Sequence, residues 1–326
     1  MKYRFCESYV LSPDGKYLFF PIQDENFKTM VYKFEVQQFE LFSDDITFLE
    51  PNIYAQNCLT ILEDTTVFGS AVHDNSLFLA CFNKNRIIEI SIRTGIVIRR
   101  YNVPSPNDVC VDQNFIYVAG GTNILGVNYP TLGKIYRIDR FTGKMGVFMS
   151  GFTTLSGIRK HKNKLIVSRL YDIISIDVIS KEITVLSNCV ENGINYLSDN
   201  ITIVDNKIYV SLYRIMNDDE MLKLKVIPSV GYFLGTIFTQ FVNGLRGKKI
   251  NLSNPEQLLS FSKTDKMESI SYMVINPDGS SNFKHVSKLK QFNGHVTQIC
   301  ELDENFILAA NFEFPGLALI RKYLIV

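Results

Sequence analysis

Five side chains with oxygen atoms that can bind a metal ion lie directly before stretches that resemble β-strands. They are Glu7, Asn107, Asp108, Asp199 and Asn200. Carboxylate and amide oxygens are the ligands that Ca²⁺ prefers, and the chain has no histidine cluster of the kind that would favour zinc. If the strands converge, these side chains predict a calcium site. Alternatively, the Asn and Asp residues are turn residues whose side chains bond to nearby backbone.

His295 is a second candidate for chemistry. An imidazole with an ordinary pKa of about 6.5 can act as a general base for a metal-bound water. A solvent-exposed turn histidine is the simpler interpretation of its GHV context. The chain contains no GxGxxG, GxSxG or P-loop motif, which excludes the enzyme classes that depend on those motifs.

The elements that must position these residues recur along the chain. Asp- or Asn-rich turns open short β-branched and aromatic runs such as DNSLFLACF, QNFIYVAGG and KNKLIVSRL, and most are followed by a second run, which predicts hairpins. The equivalent positions in successive units are Leu18, Leu77, Ile116, Leu165, Ile208 and Ile307. Most of the sequence intervals between neighbouring positions are close to the roughly 40 to 50 residues of a four-stranded blade. We therefore predict one all-β domain over 1–326, a six-bladed β-propeller; a β-sandwich is the alternative.

The last interval, between Ile208 and Ile307, is about twice as long as a typical blade. It predicts an insertion in the fifth blade at about 216–262. The segment 269–288 then resembles the outer hairpin of that blade. Within the insertion, 228–245 has an apolar stripe at helical spacing, which predicts an amphipathic helix. We favour a helix that caps the propeller over one that contacts a membrane interface.

Composition excludes several classes of protein. The 326 residues carry 34 Lys and Arg against 33 Asp and Glu, and the basic residues are scattered, so no nucleic-acid partner is expected. The six cysteines are spread singly, which favours reduced core thiols. The first twenty residues lack the pattern of a secretory signal, so we expect a cytoplasmic protein. We also expect a monomer.

Several motifs resemble one family of six-bladed propellers. LSDNITIVDNKIYVSLYR (197–214) is similar to that family's PDNI segment, with Ser198 in place of Pro, and GHVTQICELDENFILAANFEFPGLALI (294–320) is similar to its last blade. PNDVCVDQNFIYVAGG (106–121) and CESYVLSPDGKYLFF (6–20) are weaker matches. The family comprises the strictosidine synthase-like propellers, relatives of the senescence marker protein/gluconolactonase and paraoxonase enzymes.

This resemblance implies a calcium site in the central channel. Glu7, Asn107, Asp199 and Asn200 stand where calcium-binding relatives have their ligands. Ser156 departs from the pattern, because many of those relatives have an Asn there, and a hydroxyl is a poorer ligand than an amide carbonyl.

The resemblance also bears on the reaction. Alkaloid-forming members rely on a glutamate whose place is taken by Thr297, which argues against a condensation reaction, although Glu301 lies four residues further on. The resemblance thus implies a calcium-dependent hydrolase of lactones or esters acting on a small molecule in the channel. The alternative is a non-catalytic propeller that binds a small molecule or partner protein on its channel face.

Overall fold

The computed structural model consists of strands joined by short turns. It describes residues 3–24, 26, 28–41, 44, 46–49, 55–120, 133–152, 154–169, 171–216, 270–286, 296–311 and 317–322. These ranges contain no α-helix, only 3₁₀ turns at Val36–Leu41, Ala55–Asn57 and Phe82–Lys84, and so no helix that could span a membrane. The predicted helix at 228–245 lies outside the described residues.

Within the described ranges, twenty-six strands form six antiparallel sheets, which are the blades of a propeller. Blade 1 contains β1 (Tyr3–Phe5), β2 (Val10–Leu11), β3 (Tyr17–Asp24), β4 (Thr29–Glu35) and β6 (Cys58–Leu62). Blade 2 contains β7 (Val67–His73), β8 (Ser76–Cys81), β9 (Arg86–Ser91) and β10 (Val97–Asn102). Blade 3 contains β11 (Pro106–Val111), β12 (Phe115–Gly120), β13 (Gly133–Asp139) and β14 (Met145–Phe152).

The second half of the chain forms the other three blades. Blade 4 contains β15 (Ile158–His161), β16 (Lys164–Ser168), β17 (Asp172–Asp177) and β18 (Ile183–Asn188). Blade 5 contains β19 (Val190–Glu191), β20 (Ile194–Val204), β21 (Lys207–Met216), β22 (Ile270–Ile275) and β23 (Ser281–Val286). Blade 6 contains β24 (Val296–Glu301), β25 (Phe306–Asn311), β26 (Leu317–Arg321) and β5 (Ile46–Leu49).

The predicted repeat is confirmed. The six equivalent positions fall in β3, β8, β12, β16, β21 and β25, each following the inner strand of its blade, and all six side chains are buried. The outer hairpin predicted for the fifth blade is also present, as β22 and β23. The insertion therefore separates β21 from β22.

The first interval of the repeat, from Leu18 to Leu77, is longer than most because one strand from this part of the chain belongs to blade 6. After β4 the chain leaves blade 1, and β5 pairs with β26 as the outer strand of blade 6. The chain then returns as β6, the outer strand of blade 1. Leu49 pairs with Leu317, so a strand from the first sixth of the chain closes the ring against the C-terminal strands.

The core lies between adjacent blades rather than within one of them. In β12, Ile116 and Val118 pack toward blade 2, whereas Tyr117 and Ala119 pack toward blade 4. Both faces of such a strand are buried, which is why the strand sequences are nearly continuous apolar runs. The six cysteines are free thiols, and all except Cys58 are buried, as the sequence predicted.

Leu49→Ala tests the closure of the ring. Leu49 is fully buried on β5 and packs in the cluster that joins blades 1, 5 and 6. We expect the free energy of unfolding in urea to fall by about 2–5 kcal/mol, because the truncation leaves a cavity. Ile98→Ala, on the exposed face of β10, is the control and should cost about 0.5 kcal/mol or less. Equal effects of the two substitutions would contradict this role for β5.

Candidate functional site in the central channel

The inner strands of the blades bring the candidate residues to the axis of the propeller. β2, β7, β11, β15, β20 and β24 each contact the next inner strand in this order. Hydrogen bonds join the last of them to the first blade, where the Gln298 side chain accepts from the Tyr9 amide and donates to the Tyr9 carbonyl. The inner strands therefore surround one central channel.

Glu7 lies at the seam between the first and last blades. It occupies the interruption between β1 and β2, and its side chain is buried. The Glu7 carbonyl accepts a 2.7 Å hydrogen bond from the Thr297 hydroxyl and a longer one, 3.4 Å, from the Asn200 amide nitrogen. Three blades therefore meet at the Glu7 backbone.

Asp108 links blades 3 and 4. Its side chain is fully buried, and Oδ2 accepts hydrogen bonds from the Ile158 amide at 2.8 Å and from the Arg159 guanidinium at 2.5 Å. The Arg159 side chain is itself mostly buried. A buried carboxylate held by a guanidinium and a main-chain N–H is a strong, charge-assisted arrangement, which fixes blade 4 against blade 3.

Seven buried side-chain oxygens have no hydrogen-bond partner among the described residues, and three of them belong to the candidate residues of the channel. These three are Glu7 Oε2, Asp108 Oδ1 and Asn200 Oδ1. The nitrogen of the Asn200 amide donates to the Glu7 carbonyl, which directs its oxygen elsewhere. Buried polar atoms without partners are rare and cost about 1–3 kcal/mol each, so oxygens of this kind indicate an ion or ordered solvent.

The carboxyl groups in the channel interact strongly. Burial raises the pKa of Glu7 well above its ordinary value, and the Asp199 and Asp108 carboxyl groups raise it further. Burial and the Asp108 charge raise the pKa of Asp199 to about 8. Burial also raises the pKa of Asp108, although the Arg159 charge opposes that rise. The channel therefore retains protons near neutral pH.

Two glycines permit the close approach of the inner strands. A Cβ atom on Gly69 would lie 2.3 Å from Asp108 Oδ1, and one on Gly157 would lie 2.7 Å from the Ile201 amide nitrogen and 3.0 Å from Asn200 Cα. No side chain fits at either position. Gly69, Gly157 and Arg159 carried no sequence signal that set them apart from ordinary strand residues.

The other predicted residues are distributed around this cluster. Asn107 and Asp199 are mostly buried and directly precede Asp108 and Asn200. Ser156 is buried, and its amide donates to the Ser168 carbonyl at 3.1 Å. Of the predicted residues, Glu7 and Asn200 are hydrogen-bonded to each other, and the Asp199 charge acts on Glu7. His295 lies outside the described residues.

Glu301 is held by two lysines. Although burial opposes it, hydrogen bonds from the ammonium groups of Lys284 and Lys322, at 2.6 and 2.7 Å, hold the pKa of Glu301 below its ordinary value. Its carboxylate is thus occupied by two cations. Thr297, in turn, donates its hydroxyl proton to a main-chain carbonyl.

Only mixed ligands would be available to a cation in the channel. No group of three or more His, Cys, Asp and Glu side chains in the described part of the chain is placed to hold one ion. A cation here would therefore need the Asn200 amide oxygen in addition to carboxylates. Amide and carboxylate oxygens together are a donor set that suits Ca²⁺.

Comparison with known proteins supports the fold. No family model and no curated protein matches the chain. The chain is similar to a solved structure of a nidogen/laminin complex, with a TM-score of 0.53 and 10% identity over 94% of each chain. It is also similar to hydrazine synthase of Kuenenia stuttgartiensis, with a TM-score of 0.49 and 13% identity over 95% of this chain and 74% of that one. At 10% identity the first similarity shows the propeller fold alone.

The raised pKa values predict how stability depends on pH. Folded protein binds protons at Asp199 and Glu7 that the unfolded chain releases above about pH 4. In chelator-treated protein, the free energy of unfolding should therefore fall as pH rises above about 4, and the part of this fall due to Asp199 should be complete above about pH 8. We expect Asp199→Asn to flatten this fall, measured by urea unfolding across the range.

Asp278→Asn is the matched control. Asp278 is an exposed turn residue of blade 5, and hydrogen bonds from Ser280 hold its pKa below the ordinary value. Its substitution should leave the fall between about pH 4 and pH 8 unchanged. An identical pH profile for wild type and Asp199→Asn would contradict the coupling in the channel.

Proposed function

We propose that this protein is a cation-dependent hydrolase that binds Ca²⁺ in its central channel and cleaves lactones or esters there. The observation that carries the proposal is the pair of buried oxygens without partners on Glu7 and Asn200, contributed by two blades. A divalent cation would give such oxygens a partner and would favour the ionised carboxylates that burial disfavours.

The proposed ligands are Glu7, Asp199 and Asn200, with Asn107 from the third blade. The Asp199 charge raises the pKa of Glu7, because two nearby carboxylates repel each other. A bound cation would relieve that repulsion. Asp108 has a different role. One of its oxygens is taken by Arg159 and the Ile158 amide, so we assign it to positioning blade 4.

The chemistry follows from this arrangement. When bound, the cation would polarise a substrate carbonyl and stabilise the oxyanion that forms during hydrolysis. His295 remains a predicted base.

Two further features support a hydrolase over a condensing enzyme. The Thr297 hydroxyl is committed to the Glu7 carbonyl, and a hydroxyl cannot accept and return a proton at neutral pH as a carboxylate can. The Glu301 carboxylate is occupied by Lys284 and Lys322. Membership of the strictosidine synthase-like and gluconolactonase-like propellers, on the hydrolase side, is the family assignment that we propose with this function.

Calorimetric titration of Ca²⁺ into chelator-stripped protein tests the cation. We expect saturable binding that Asp199→Asn weakens at least about tenfold and that strengthens as pH rises through about 8, because the channel protons must leave before the ion binds. Asp278→Asn, the same substitution at an exposed position of the same blade, should bind like wild type. Absence of binding up to millimolar Ca²⁺ would overturn the proposal and favour a non-catalytic ligand-binding propeller.

The hydrolase itself needs a second measurement. A panel of lactones and aryl esters should be hydrolysed by the calcium-loaded wild type and by Asp278→Asn, and much more slowly by Asp199→Asn. Saturable Ca²⁺ binding together with no turnover of any substrate, or with equal turnover in the two variants, would leave a cation-binding propeller without the proposed activity.

A further inference from the structure

Three consecutive blades carry the same rigid turn between their third and fourth strands. In blades 2, 3 and 4 the turns are 91–96, 139–144 and 177–182. Each is closed by two main-chain hydrogen bonds of 2.8–3.0 Å between equivalent positions. The Asp139 and Asp177 carboxylates each accept two N–H bonds from their own turn, and the Ser91 hydroxyl does the same in blade 2. These turns hold their side chains in fixed positions.

Each of these turns exposes one large apolar side chain. Ile96, Phe141 and Ile179 are exposed to 67%, 73% and 81%, the three highest values for large apolar residues in the described part of the chain. Strands alternate in direction within a blade, so the three turns project from the same end of the propeller. Apolar side chains that are normally buried are therefore presented to solvent at three separate points.

The outer strands continue this apolar surface. Ile98, Val147 and Val185 are exposed and lie within the first three residues of β10, β14 and β18, directly after the turns. At about 3.3 Å per residue, they extend the surface by roughly 10 Å up the outer wall. We call Ile96, Ile98, Phe141, Val147, Ile179 and Val185 the apolar corner.

Exposed cations surround the apolar corner. They are Arg93, Arg100, Arg137, Lys144 and Lys181, and none pairs with a carboxylate of the described residues. The acids beside them are Glu182 and the Asp139 and Asp177 carboxylates, which accept hydrogen bonds from their own turns and keep their negative charges. The corner is thus apolar at its tips, with five cations against three acids around them.

A groove between blades 3 and 4 lies within this corner. It has a volume of about 490 Å³ and is lined by Phe148, Arg137 and Lys181 among others. The Arg137 guanidinium lies 4.6 Å from the Phe115 ring centroid and 5.5 Å from that of Phe148, and the Lys181 ammonium lies 5.4 Å from the Phe148 centroid. Aromatic rings thus hold two of the cations in place, available to an anionic group.

We infer that the apolar corner docks this protein on a membrane surface that contains anionic lipid. Exposed apolar side chains flanked by Lys and Arg are the combination that binds membrane interfaces, where the apolar groups enter the headgroup boundary and the cations contact lipid phosphates. The tips sit on three different blades with polar residues between them, at Thr94, Thr142 and Ser180. A fluid lipid surface can admit separate tips individually, whereas a protein interface is a contiguous, close-packed patch.

Vesicle co-sedimentation tests this inference. Wild type should sediment with phosphatidylcholine vesicles containing about 30% phosphatidylserine and much less with phosphatidylcholine alone. Phe141→Ser combined with Ile179→Ser should reduce the partition about tenfold or more, because two inserting side chains are lost. Arg137→Gln combined with Lys181→Gln should reduce the preference for the anionic vesicles.

Matched controls separate the corner from the rest of the surface. Ile61→Ser removes an exposed isoleucine from β6, the outer strand of blade 1, which carries none of the three turns. This variant should bind vesicles like wild type. Lys207→Gln removes an exposed lysine of blade 5 and should not change lipid preference. All variants should keep the wild-type melting temperature, since the substituted side chains are on the surface.

Three outcomes would overturn the inference. One is wild type that does not sediment with either vesicle. Another is a Phe141→Ser, Ile179→Ser variant that sediments as well as wild type, which would move any lipid binding to a different surface. The third is self-association of wild type that this variant abolishes, without vesicle binding, which would assign the apolar corner to an interface between copies of the chain.

Discussion

The pairing of β5 with β26 holds the ring closed, and the arrangement of the channel depends on it. A propeller has a continuous core only if its last blade packs against its first, and the cluster that spans blades 1, 5 and 6 forms at that seam. Glu7 lies at the same seam, where the Thr297 hydroxyl reaches its carbonyl from the last blade. Opening the seam would separate Glu7 from the rest of the channel cluster. Closure of the fold and assembly of the site are therefore one event.

The closed ring of blades keeps unfavourable polar groups buried in the channel. Buried carboxyl groups with raised pKa values and oxygens without partners disfavour folding, and they persist only where the surrounding structure leaves no alternative. Here the cost is borne by tightly packed inner strands, with glycine at Gly69 and Gly157 where any side chain would collide with the neighbouring blade. The packing between blades supplies the stability that the central cluster lacks.

The sequence predicted the repeat and the blades because each strand is buried on both faces and each turn has Asp, Asn or Gly in place. Ile116 and its five equivalents occupy matching strands. Strand exchange by β5 could not be predicted, since 46–49 looks like any short strand and its partner lies at the other end of the chain. The resemblance named Glu7, Asp199 and Asn200 as candidates, but Arg159 was missed because its pairing with Asp108 exists only when blades 3 and 4 are packed together.

The buried thiols have a consequence for how the motion of this protein can be followed. Cys6, Cys81, Cys110 and Cys300 belong to four different blades, and Cys189 packs between blades 4 and 5. Burial raises the pKa of Cys81 and of Cys300 to about 12, and that of the other three likewise lies well above the ordinary value. A protonated, inaccessible thiol reacts only when its surroundings open. The rates at which these cysteines are alkylated in native protein would therefore give the opening free energy of individual blades and show whether the ring unfolds as one unit or blade by blade.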